Sequence, residues 1–422
     1  MGKFVGDWND QLKGYNRNIR LFLLTSVLAN IGMGIFMVIY NYYIRELGFS
    51  DQMNGRVIAM QALASAMALL PAGLMSDKFG RRRIIMIGAL FAATSLLLRA
   101  VLAGEFLLLA MAFATGLFMA FIQVSSIPLL AENSTEKERV HLFSFNFALI
   151  MVANVIGNAL GGTLTDLFHV FFRLSMLESV RITLLIGSLI FFIALLPILK
   201  INEEHKKRVQ KTGASSLGRL FTTHRSSLKW IGLFAIANVL IGFGSGLVIP
   251  YLNLYFSDRF EISNSLVGII LSLGQAMTAV AFMIGPSVVK RFGEVKAVVM
   301  LQLASLPFLL LTAYTETLWL AVIGFLFRQA LMNAGNPIQM ALMMRTVDDS
   351  MKGLANSVGQ MVFQLGWAVM GPVSTSIVMI YGAYYGYAYV FTITAFLYLL
   401  GSTYFYVVFR KINENKEEQK AA

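Results

Sequence analysis

The sequence predicts an all-α membrane protein with twelve transmembrane helices in two pseudo-symmetric six-helix bundles. Three observations lead there. Of 422 residues, 57% are hydrophobic and 13% charged, against roughly 25% charged in a soluble domain, and mean hydropathy is +0.69. Apolar runs close to the ~20 residues that a spanning helix needs recur twelve times along the chain. Finally, the chain resembles itself when slid by about 212 residues, the sign of a doubled architecture.

In order, the spans are predicted at 20–43, 54–75, 84–103, 106–131, 141–168, 179–200, 230–256, 265–289, 295–314, 317–344, 353–381 and 385–409. None shows the period-two alternation of a half-buried strand. An even count puts both termini on one face, and the positive-inside rule chooses it. Of 34 Lys and Arg residues, 27 fall in the termini and in the loops after the second, fourth, sixth, eighth and tenth spans. Arg45, Arg56, Arg99, Arg173, Arg181, Arg259 and Arg328 are the exceptions. Both termini are therefore expected in the cytoplasm, with the chain in the inner (plasma) membrane. The polar start, 1–18, has no apolar signal core, so no cleaved leader is expected. The stretch 200–229 is basic and rich in Gly and Ser, which reads as a cytoplasmic linker. It separates an N-terminal bundle, 1–199, from a C-terminal bundle with a short tail, 230–422.

The repeat has particular markers. Asn30 and Gly32 before Tyr40–Tyr43 correspond to Asn238 and Gly242 before Pro250–Phe256. Gln61-Ala62-Leu63 corresponds to Gln275-Ala276-Met277, Lys78-Phe79-Gly80 to Arg291-Phe292-Gly293, and Arg139 to Lys352.

Composition also excludes functions. A formal charge of +12 does not mark a nucleic-acid binder, because the basic residues punctuate apolar segments instead of clustering on a soluble face. With no cysteine, and only His141, His169, His205 and His224 at helix ends or in loops, thiol chemistry and an intramembrane metal or haem centre have no ligands. No cofactor is expected, and an enzyme lacks a nucleophile, base or metal set at one depth. The partners implied are the lipid bilayer and a small-molecule substrate, with the chain read as a monomer.

GLMSDKFGRRR, Gly73 to Arg83, is a tight polar hairpin between two spans. Gly73 would permit close helix approach and Gly80 a sharp bend. Gly73, Asp77, Gly80, Arg81, Arg82 and Arg83 fill the fixed positions of G-x-x-x-D-x-x-G-R-[RK]-[RK]. The segment resembles the signature loop between the second and third helices of the major facilitator superfamily, in particular drug efflux-like members. The resemblance covers about residues 18–410 and implies two six-helix halves that rock to give alternating access. It also implies that Asp77, Arg81, Glu132 and Arg139 form a charge cluster that latches the halves on the cytoplasmic side. In the C-terminal half the acid at the end of the tenth span has become Arg345.

Gly157, Gly161 and Gly162 in the fifth span have the spacing of the family's antiporter stretch G-P-x-x-G-G, but Asn158 replaces Pro, so the match is partial. The same small residues would allow close helix packing in any membrane bundle. The family's R-x-x-x-G stretch in the fourth span has Ala112 in place of Arg. No carboxylate is expected near the bilayer midplane. Protons, the coupling ion that the resemblance suggests, would have to use Asp77, Glu132, Asp166 or the substrate's own charge.

One charge is placed deep. Arg328 lies about 16 Å into the tenth span at 1.5 Å per residue, near the middle of a core about 30 Å thick. An Arg there costs about 2.5–3.5 kcal/mol. With Asn333, Asn336, Gln360, Gln364 and Trp367 it is read as lining a solute cavity, joined by Asn30, Tyr40, Gln123 and Asn238. Arg56 and Arg99, nearer helix ends, read as snorkelling. Flexible Met and broad aromatic faces suit varied apolar solutes. The expected function is secondary active transport of small organic solutes, most simply efflux of amphipathic compounds. The alternatives are transport of an anionic metabolite or lipid on Arg328, and a non-transporting sensor.

Overall fold

The structure, a computed structural model, describes residues 14–202, 224–348 and 351–421, and within these the side chains of all but 136–141 and 411–421. Most of the linker and the side chain of Arg139 therefore lie outside the described residues. Among these residues, eleven continuous helical segments are long and apolar enough to cross a membrane. The last of them, Lys352–Arg410, is two spans joined at Gly382 (φ 74°, ψ 176°), where the helix breaks. Twelve spans result, as the apolar runs predicted.

We label them α1 Arg17–Glu46, α2 Asp51–Phe79, α3 Arg81–Val101, α4 Glu105–Glu132, α5 Glu136–Val170 and α6 Met176–Leu199. The second set is α7 Arg225–Phe260, α8 Asn264–Phe292, α9 Glu294–Tyr314, α10 Leu318–Thr346, α11 352–381 and α12 383–421. Local chemistry sets several ends. The Asn16 side chain accepts from the Ile19 amide at the start of α1, and Ser175 and Glu178 form a capping box at α6, satisfying amides that a helix start leaves open. Pro250 cannot donate to the ladder, and α7 tightens into a 3₁₀ turn at Ile249–Tyr251.

Gly80 (φ 99°) and Gly293 (φ 76°) reverse the chain between α2 and α3 and between α8 and α9, a left-handed backbone that any other residue would strain. These two are a repeat pair from the sequence. Gly73 behaves otherwise: a Cβ there would meet nothing within 4 Å, so no helix packs on it in this conformation.

Among the described residues, the two most extensive helix contacts between the bundles are α5 against α8 and α2 against α11. In the first, a Cβ on Gly162 would overlap the Asn264 carbonyl, and one on Gly268 would sit 2.5 Å from that of Asn158. In the second, Gly55 faces Gly371 and Pro372 at similar range. Gly157 and Gly161 pack on α1, with Cβ positions 2.5 Å from the Ile31 carbonyl and 3.2 Å from that of Ile35. The small residues of α5 thus hold both its own bundle and the facing one.

Candidate functional site

A cavity of about 720 Å³ lies between the bundles, within the ~300–1,000 Å³ of small-molecule sites. Its wall comes mostly from α1, α2, α4 and α5, with Met340 of α10 and one face of α11 opposite. It reaches Phe22, Ile85 and Ile198 toward the end carrying the Gly73–Arg83 hairpin, and stops at Asn41, Pro250 and Trp367.

Beyond that blind end the bundles are clasped. Arg45 at the end of α1 donates to Asp258 at the end of α7 at 2.5 and 2.7 Å, and to Asp51 at 2.6 and 2.8 Å. Tyr387 donates to the same Asp258 carboxylate at 3.0 Å. One layer inward, Asn41 donates to the Pro250 carbonyl and to Asn253, and Asn253 donates to the Val38 carbonyl. Asp166 at the end of α5 accepts from the Asn264 side chain and from the Ser265 amide at the start of α8, where the helix dipole favours an anion.

The clasp was absent from the sequence reading, although its signal was there. Arg45 and Asp258 are 213 positions apart, and Asn41 and Asn253 are 212 apart, matching the repeat. Equivalent residues of two parallel repeats meet where their helices cross the pseudo-axis, and opposite charges at such positions can pair.

Of the expected cavity residues, Asn30, Tyr40, Gln123, Gln360, Gln364 and Trp367 line the wall. The α11 residues lie on one face because they recur at three- and four-residue steps. Gln364 donates across the bundles to Ser65 at 3.2 Å, and Trp367 donates within its own bundle to Ser245 of α7 at 2.8 Å. Asn41, Gln61 and Asn146 also line it.

Four expected residues do not. Arg328 is 3% exposed, with one Nη donating to Gln329 and the other to Tyr398, both at 2.9 Å, and Tyr398 belongs to α12 of the same bundle. Its side chain turns away from the cavity and is held by partners within its own bundle. Asn333 donates to Thr278 and Asn238 accepts from Gln339, contacts between neighbouring helices of that bundle. Asn336 is exposed but stands off the cavity wall. The sequence reading put Arg328 on the cavity side of α10, and the structure turns it to the other side.

The residue that was missed is Arg99. Instead of snorkelling, it is 4% exposed and lines the cavity, the one ionised side chain on its wall among the described residues. Nη1 donates to Gln61 at 2.8 Å and lies 3.5 Å from Thr115, and the guanidinium stacks 4.0 Å from the centre of the Tyr40 ring. Arg56, by contrast, is exposed and pairs with Glu105 at 2.7 Å.

At the hairpin end, Arg81 pairs with Asp77 one turn earlier, with Glu132 at 3.3 Å and with Ser76 at 3.0 Å. All four belong to α2, α3 or α4. The other bundle repeats the pair with its charges exchanged: Glu294 at the start of α9 binds Arg345 at the end of α10. Glu294 follows Gly293 as Arg81 follows Gly80, so the exchange was half visible in Arg345.

Comparison with known proteins fits this architecture. The multi-drug resistance efflux pump PmrA of Streptococcus pneumoniae is 24% identical over 408 residues, covering 95% of this chain and 98% of the pump. The multidrug resistance protein MdtG of Proteus mirabilis is 24% identical over 94% of this chain and 96% of its own. The crystal structure of nucleoside transporter NupG superposes with a TM-score of 0.73 at 17% identity, covering 93% of this chain and 99% of that one. The Major Facilitator Superfamily family model matches residues 22–237 and 234–422. Two matched repeats, twelve spans and a cavity between the bundles lead to one conclusion: the chain belongs to the Major Facilitator Superfamily and is a multi-pass membrane transporter, not an enzyme.

Proposed function

We propose that this transporter exports amphipathic organic compounds across the plasma membrane by alternating access. The observation that carries the reading is the cavity wall. Met33, Met37, Met119 and Met340, with Phe22, Phe36, Phe147 and Phe191, supply a broad, adaptable apolar surface, and amides at Asn30, Gln61, Gln123, Asn146, Gln360 and Gln364 interrupt it. Such a surface accepts many shapes with few fixed demands. The efflux proteins PmrA and MdtG, similar over nearly the whole chain, support the same direction.

With the hairpin and both termini in the cytoplasm, as the Lys and Arg count predicts, the cavity faces inward and the Arg45–Asp51–Asp258 clasp closes the outer end. Rocking opens the clasp and brings the hairpin ends together, where Asp77, Arg81 and Glu132 act as the inner latch. The reading that set an anionic metabolite or lipid on Arg328 loses its residue, since Tyr398 and Gln329 already hold that guanidinium.

Reconstitution tests the proposal. Proteoliposomes carrying the purified protein should exchange a fluorescent amphipathic dye in counterflow, and inverted vesicles should accumulate it. A protein that binds dye with no counterflow would be a sensor, and the export reading would fall.

A further inference from the structure

We propose that Arg99 forms an anion subsite at the blind end of the cavity, and that the solutes carried include compounds with one ionised acid on an apolar body. The inference rests on the transporter reading above and narrows its substrate class.

The guanidinium is nine-tenths buried and lines the cavity beside Tyr40, Gln61 and Gly116. Its protein partners are neutral: Gln61, Thr115 and the face of the Tyr40 ring. Only Nη1 donates within hydrogen-bonding distance; Nε is buried without an acceptor, and the hydroxyl of Tyr40, on whose ring the guanidinium stacks, is buried without a partner. No carboxylate stands on the wall among the described residues. A buried charge without a counter-ion is expensive to keep, and in a low-dielectric cleft it projects a positive potential that no nearby group cancels. A carboxylate entering from the cavity would supply the missing charge and accept the unused donors, while its apolar body lies against the Met and Phe wall. Arg328 makes the contrast: its Nε is likewise without an acceptor, but both its Nη groups are satisfied and it lies off the cavity.

The test uses three probes of one shape: 1-naphthylacetate, 1-naphthylacetamide and 2-(1-naphthyl)ethylamine. Binding is read by thermal stabilisation of the full chain in detergent, and movement by flux in proteoliposomes. Wild type should bind the acid about tenfold more tightly than the amide, and the amine most weakly. Arg99→Gln should remove the preference, and Arg99→Lys, which keeps the charge, should retain part of it. Equal binding of all three probes by wild type would overturn the inference without any variant. So would a folded Arg99→Gln protein that still prefers the acid. Oleate is a fourth probe: if it binds in place of naphthylacetate, and Arg99→Gln removes that binding, the acid is a lipid's and the subsite stands. Stabilisation by the acid with no flux of any probe would leave the subsite in place and defeat the transport reading. Equal flux and binding of all probes would do the reverse.

Discussion

Arg99 and Arg328 are alike in chemistry and opposite in role. Each is buried in a span, each donates to a glutamine, and each lies over a tyrosine ring, at 4.0 Å for Tyr40 and 5.6 Å for Tyr398. Arg328 has both Nη groups bonded within its own bundle, whereas Arg99 faces the space between bundles with only Nη1 bonded; the Nε of each is without an acceptor. A deep cation is thus no marker of a binding site until its partners are counted. The C-terminal bundle treats its arginine as a packing element; the N-terminal bundle presents its own to the cavity.

Breaking the closed site should have the largest effect on stability. Arg328→Ala leaves Tyr398 and Gln329 without their partner in a dry setting and is expected to cost about 3 kcal/mol. The thermal midpoint of the purified protein should fall clearly, with the order of preference among solutes unchanged. A reordering of preference would place Arg328 in the binding site after all.

Next comes the support beneath Arg99. A Cβ on Gly116 would overlap the Gln61 carbonyl, so Gly116→Val must push α4 from α2, at about 2 kcal/mol for overpacking. It should also displace the Gln61 side chain that holds Arg99, lowering stabilisation by naphthylacetate more than by its amide. Equal loss for both ligands would show that Gln61 does not position the guanidinium.

The two tyrosines sharpen the contrast. Tyr398→Phe removes an acceptor that Arg328 uses and should cost about 1.5 kcal/mol, while Tyr40→Phe removes a hydroxyl without a partner and should leave the thermal midpoint where it is. Parallel melting curves decide this, and equal losses would erase the distinction between the sites.

The smallest effect is expected from the exchanged ion pairs. Arg345 is half-exposed, so Glu294→Arg or Arg345→Glu alone should shift stability by less than about 1 kcal/mol. The double exchange, which gives this bundle the polarity of Arg81–Glu132, should recover the loss in a double-mutant cycle. Additive losses would mean that the two side chains do not interact.

Much of the fold was legible because lipid makes it so. A spanning segment must satisfy its backbone internally, so length and hydropathy alone found all twelve spans, including the two that run together across Gly382. The α11 face was legible too: Asn356, Gln360, Gln364 and Trp367 are polar or amphipathic positions in register on an otherwise apolar helix. Around α3 no such stripe exists, and α10 has one, Arg328, Gln329, Asn333, Asn336 and Gln339, of which Arg328, Asn333 and Gln339 bond within their own bundle and not toward the cavity. Nothing in the local sequence then says which side of the helix an arginine takes. The clasp at Arg45 and Asp258 lay between these cases, written in the repeat spacing yet visible only when opposite charges at equivalent positions are compared.

By itself the sequence determined which segments cross the bilayer, that they form a doubled set, and where the chain turns at Gly80 and Gly293. Those features depend on local composition and on backbone geometry that one residue can dictate. Tertiary structure decided which arginine meets the cavity, which carboxylate holds Arg45, and which end of the bundle is shut. Each of these depends on the rotation of one helix against another, and a shift of one residue turns a side chain by about 100°. Only the packing of neighbouring helices fixes that angle.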